Sequence, residues 1–297
     1  GTRNIAIGFD AYKASDTEDD NLAIGYNAMV TDTAGGTKNV AIGNYTLDAL
    51  TSGDQNVGIG YTVMSGLSTG SANTAVGYQA FNGNPGSNGV AIGWNAGADV
   101  TGNDNTLVGV QAGNFDTAIT GGTKNVCLGA YAHTSAAGAV AQFVVGYNVA
   151  GVGDNNFTFG NASTDSNIAY GATSISAPSD IRLKEDIQDE KIGLDFINDL
   201  RPVTFQWRKA KDIPEEMKTH VAGSDERVMN GKYNHGFIAQ EVKSVIDRYD
   251  IKDGFSMWLE DEADGRQRIA EGELMSIMTK AIQELSAKND ALLARIE

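Results

Sequence analysis

The chain has 297 residues, with 22 Lys/Arg against 38 Asp/Glu, a formal net charge of -16 and a single cysteine. That acid surplus excludes nucleic-acid binding, which draws its affinity from clustered Lys and Arg. One cysteine, Cys127, excludes an intrachain disulfide framework. No apolar run approaches the roughly 18 residues of a membrane span, and the start GTRNIAIG is neither a signal peptide nor an initiator methionine, so the chain reads as beginning inside a larger protein.

From the first residues one phrase returns: NIAIGFDA, NLAIGYNA, NVAIGNYT, NVGIGYTV, NTAVGYQA and five further copies, from GVAIGWNA to NFTFGNAS. Its glycines are Gly8, Gly25, Gly43, Gly60, Gly77, Gly93, Gly109, Gly129, Gly146 and Gly160, at intervals of 14 to 20 residues. A fixed period of this kind marks units that stack because none can bury its own apolar face. Side chains alternate along a strand, so Ile5 and Ile7 share one face and Ala6 and Gly8 the other. The small face suits close approach by another backbone. Segments such as TDTAGGTK and FNGNPGSN read as surface loops. With six to eight strand-like residues per unit, little apolar material is left for a single-chain core. Identical chains, three around an axis, are expected to supply it. Tyr26, Tyr61, Tyr78, Trp94 and Tyr147 follow the glycines and either pack coil on coil or form a ladder for sugar faces. No paired carboxylates recur in the manner of a glycosidase, and Cys127 stands where other units have alanine, as small packing.

These phrases resemble the trimeric left-handed β-roll heads of bacterial adhesins and the NTAxGYxAL arrays of phage tail-fibre proteins, over roughly residues 4 to 162. A single-chain left-handed β-helix would have a similar period and stays open. The expected fold is therefore a mainly β repeat array, homotrimeric and β-roll or β-helix-like, over 1–162, a linker over 163–178, and an α+β domain over 179–297.

The seam is compositional. Residues 1–178 hold 4 Lys/Arg and 13 Asp/Glu, whereas residues 179–297 hold 18 and 25. KIGLDFINDL then carries a helical stripe, RPVTFQW alternates Val203, Phe205 and Trp207 as a strand does, and HGFIAQEVKSVI passes from strand or turn into helix. At the end Met275, Met278, Ile282, Leu285, Asn289, Leu292 and Ile296 follow 3-4 heptad spacing. This predicts a short parallel coiled coil with Asn289 setting register; the alternative is a helix packed on its own domain.

SDIRLKEDI, LRPVTFQW, GFIAQEV and the terminal helix, in that order, resemble the self-cleaving intramolecular chaperone domain of phage endosialidases, tail spikes, tail fibres and neck appendages. The resemblance implies that the domain brings three chains together, templates the trimer before it, and cuts itself off at Pro178–Ser179 with a Ser179 and Lys184 dyad. Lysine can act as base only if burial or a nearby cation favours its neutral form; Arg182 is a candidate cation. Asp180, Glu185 and Glu241 either orient the dyad or form solvated ion pairs, and His235 reads as structural. The implied setting is the virion tail, outside the cell after assembly in the host cytoplasm. The implied partners are two further copies and a host-surface receptor, a polysaccharide or outer-membrane component, with no membrane insertion, cofactor or metal. Two other readings compete: a surface adhesin head with an uncleaved trimerisation domain, and a polysaccharide depolymerase tailspike.

Overall fold

The computed structural model describes residues 1–14, 17–31, 35–162, 164–261 and 265–296. Three residues of the TDTAGGTK loop, 32–34, and the first residue of the expected linker, 163, lie outside the described residues. The described residues form two compact units, 1–183 and 184–297.

The first unit is a β-solenoid. Ten strands run parallel and in sequence order: β1 (Ile5–Ile7), β2 (Leu22–Ile24), β3 (Val40–Ile42), β4 (Val57–Tyr61), β5 (Thr74–Tyr78), β6 (Val90–Ile92), β7 (Thr106–Val108), β8 (Val126–Leu128), β9 (Gln142–Tyr147) and β10 (Asn156–Asn161). Equivalent residues of the phrase face each other, as in Ala23 with Ala41 and Gly60 with Gly77. An eleventh strand, β11 (Thr164–Ala169), folds back antiparallel on β10. The segment expected to be a linker thus begins as a hairpin strand, and a further bridge joins Asn167 to Ser176. This mostly polar strand, TDSNIA, pairs along the whole of β10.

The solenoid closes a core of its own, against the expectation that one chain lacks the material. The small residues of the strand, Ala23, Ala41, Ala75 and Ala91, point inward and are fully buried. The bulk comes from the turns after each glycine: Met29, Leu47, Leu50, Met64, Leu67, Phe81 and Ile119 are buried with them. Sizes compensate between coils. An added Cβ on Gly89 or Gly97 would fall 2.8 Å and 2.7 Å from the Phe81 ring, and one on Gly113 would fall 2.6 Å from Leu107. The large Phe81 and Leu107 therefore fill the space that these glycines vacate, keeping the interior dense.

The recurring glycine has two reasons to be glycine. At Gly77 φ is +139°, and a Cβ would lie 2.4 Å from the carbonyl oxygen of Gly93 in the next coil. Non-glycine residues also take left-handed corners, among them Asn27, Tyr45, Thr62 and Gln79, with φ between 49° and 55°. Each such corner costs roughly 1–2 kcal/mol. The corner N–H donates to the preceding coil, Tyr45 to Tyr26 O at 2.9 Å and Gln79 to Tyr61 O at 3.0 Å, which offsets that cost.

The second unit is α+β. Helix α1 (Leu194–Asp199), strand β12 (Val203–Phe205), strand β13 (Asn234–Gly236), helix α2 (Ala239–Tyr249), hairpin strands β14 (Trp258–Glu260) and β15 (Gln267–Ile269), and helix α3 (Leu274–Leu293) follow in order. β12 pairs antiparallel with β13, and β14 with β15. Phe196, Leu200, Val242, Ile246, Met257 and Ile277 form the core. α1 is seated on α3 by its open N-terminus: the Leu194 N–H donates to Glu284 Oε2 at 2.9 Å, a carboxylate where the helix dipole favours one.

Candidate functional site

Ser179 and Lys184 flank a single 3-10 turn, Ile181–Leu183, that falls at the boundary of the two units: Ser179 belongs to the first and Lys184 to the second. Every residue from 171 to 191 is exposed, including both members of the expected dyad and the preceding Pro178. Ile175, Ile181, Leu183 and Ile187, apolar side chains that would normally be covered, are 62 to 72% exposed. Arg182 is engaged by Asp180, Nη2 to Oδ2 at 2.5 Å. This hydrogen bond holds the Asp180 carboxyl below the usual carboxylate range and raises the guanidinium. Arg182 is therefore already matched by a local anion and offers Lys184 little net positive charge.

Glu241 belongs to an ion pair. It accepts both Nε, at 2.9 Å, and Nη2 of Arg201, which lowers its carboxyl pKa. His235 sits on β13, where Nδ1 lies 3.4 Å from Thr204 Oγ1 across the ladder to β12. In the same unit Asp225 is pulled down to about 2 by hydrogen bonds from Lys209 and Lys211. Cys127, on β8, is buried in the solenoid and its thiol is pushed up to about 12 by desolvation. Among the described residues no cluster of three His, Cys, Asp or Glu is arranged to hold a metal ion, and no helix is long and apolar enough to cross a membrane.

α3 presents two stripes. Leu274, Ile277 and Ala281 are buried against the second unit's own core. The heptad series begins one residue later, about 100° around the helix, and it is uncovered. Met275, Ile282 and Leu285 are 68%, 65% and 48% exposed; Met278 and Leu292 are also exposed, as is Asn289. Ile296 lies beyond the helix end and is 82% exposed. One stripe thus serves the domain and leaves the other without a cover in the single chain. The buried stripe matches the alternative of a helix packed on its own domain, and its signal in the sequence is the 3-4 spacing of Leu274, Ile277 and Ala281.

The chain thus consists of a stacked-repeat β-solenoid followed by a small α+β unit that ends in a long helix. Residues 179–250 match the family model Peptidase_S74, described as Chaperone of endosialidase. The chain therefore carries an endosialidase-type chaperone domain following its β-solenoid. No curated protein and no solved structure matches the chain.

Proposed function

We infer that this chain is part of a phage tail fibre: a homotrimeric β-solenoid that contacts the host surface, with a C-terminal chaperone that assembles three chains and then cleaves itself off between Pro178 and Ser179. The observation that carries the reading is the start of the family match at Ser179 itself, the residue to which the resemblance assigns the nucleophile.

The chemistry is local. Neutral Lys184 takes the proton of Ser179 Oγ, which attacks the carbonyl carbon of Pro178. The Pro178–Ser179 C–N bond breaks as the Ser179 nitrogen is protonated, leaving an ester between the Pro178 carbonyl and Oγ. Water hydrolyses that ester, giving a carboxylate at Pro178 and a free amine at Ser179. Proline does not obstruct this, because the scissile nitrogen belongs to Ser179, and it stiffens the segment before the cut.

A lysine becomes a base when water is removed from around it. Lys184 is exposed in the single chain, so desolvation has to come from neighbouring copies. Exposed Ile175, Ile181, Leu183 and Ile187 are suited to that packing. Assembly then gates cleavage. The host-surface receptor, a polysaccharide or outer-membrane component, would be met by the solenoid.

Mass spectrometry of the expressed chain beside Ser179→Ala and Lys184→Ala tests the dyad. Fragments meeting at 178/179 in the parent, with both variants intact, are the expected result. An intact parent under assembling conditions would overturn self-cleavage, and cleavage persisting in Lys184→Ala would remove that residue from the base role.

A further inference from the structure

The strand positions that point away from the solenoid core carry the larger apolar residues. Counted in register from Ile5, Leu22, Val40, Val57, Thr74, Val90, Thr106, Val126, Phe143 and Phe157, positions 1, 3 and 5 form three columns along the sheet, such as Val57, Ile59 and Tyr61, or Val90, Ile92 and Trp94. No Asp, Glu, Lys or Arg occupies any of these positions in the ten units. They are nonetheless reachable by solvent: Ile59 is 38%, Ile92 41% and Trp94 47% exposed. In the third column Phe9 stacks on Tyr26 and Tyr61 on Tyr78, each at 5.5 Å; the third coil has Asn44 there, and the neighbouring Tyr45 bridges Tyr26 and Tyr61 edge-on.

Parallel sheets are almost always covered on both faces. Here the chain covers the alanine face and leaves the isoleucine face bare. Electrostatics narrows what can lie on it. The array holds 4 Lys/Arg against 13 Asp/Glu, so copies repel one another wherever acids meet, and this charge-free face is where they can approach without that cost. Ten strands about 4.8 Å apart, each offering about 13 Å of its length, make a footprint on the order of 600 Å² before side-chain relief. That is comparable with the ~800 Å² per partner of a stable protein interface.

The geometry points to this isoleucine and aromatic face of the solenoid as the surface on which two further copies of the same chain pack, with the three sheets turned toward a common axis. The inference rests on the trimer reading above and assigns the face that reading leaves open. It places the polar loops and left-handed corners outside, and it makes the aromatic column a rim of the interface.

The test is cysteine labelling of the full-length chain. Ile59→Cys and Val76→Cys put a thiol on the face, and Ser52→Cys puts one on an exposed loop of the coil that contains Ile59. Native Cys127 is buried and gives a low background. Sedimentation of the parent reports the assembly state independently. Trimers in which both face thiols react with a water-soluble maleimide at least tenfold more slowly than Ser52→Cys would support the assignment. Trimers in which they react at the Ser52→Cys rate would overturn it and leave the trimer reading standing. A monomeric parent would overturn the trimer reading and this inference with it.

Discussion

The asparagine that opens each repeat phrase contributes more than its size suggests. Asn56 is fully buried; its N–H donates to Asn39 Oδ1 at 2.9 Å, its Nδ2 to Gly70 O at 2.9 Å, and its own Oδ1 accepts the Asn73 N–H at 3.0 Å. The same links recur at Asn39 and Asn73, so amides form a ladder that ties coil to coil and satisfies the turn carbonyls of Gly53, Gly70 and Gly86. A buried amide ladder is stabilising only while every member is paired. Asn56→Ala leaves the Gly70 carbonyl and the Asn73 N–H without partners, and at about 1–3 kcal/mol for each stranded group we expect a loss of about 3 kcal/mol. A shift in the urea midpoint of the full chain measures it; an unchanged midpoint would show that water or a rearranged turn replaces the amide.

Among the elements, α3 has its work divided between stripes. Ile277 is buried in the domain core, so Ile277→Ala should destabilise the second unit by about 3 kcal/mol, within the usual range for deleting a buried isoleucine side chain. Leu285 touches solvent on the heptad stripe, so Leu285→Glu should leave the folding of a single chain unchanged while lowering the trimer fraction severalfold. Circular dichroism and sedimentation on the two variants separate the effects. Equal loss of helix signal in both would mean that the heptad stripe packs within one chain. Asn289, polar at a core position of that stripe, would fix the register of three helices at some cost in affinity.

For the whole molecule the consequence is order. Pairing strands between coils demands closure of many loops, which is slow and exposes unpaired edges in the meantime. A helix that joined three chains early, as the proposed trimer requires, would raise their local concentration before the solenoids form. If the chaperone is cut away afterwards, as proposed above, that advantage is lost, refolding becomes improbable and the persistence of the solenoid depends on its unfolding rate. Cleaved chains should therefore occur only as trimers. In a time course of expression, Leu285→Glu should accumulate full-length chain while the parent is processed. Cleaved monomer in either sample would contradict assembly-gated cleavage.

Much of this was legible in the residues. The glycine spacing located every coil because φ between 126° and 150° and a carbonyl oxygen 1.6 to 2.5 Å from the missing Cβ leave no other residue tolerable at Gly77 and its equivalents. The change in charge density marked the seam, and the ordered motifs after Ser179 pointed to the domain that the family match covers. Period-2 alternation also separated Ile59 from Gly58 onto different faces, but it could not say which face turned inward, since both are free of charge. Only the tertiary structure decided that. Coils this narrow accept alanine or glycine from the strand, because Met29, Leu47, Met64 and Phe81 swing in from left-handed corners and take the remaining volume. The isoleucines are left outside as a consequence of that geometry.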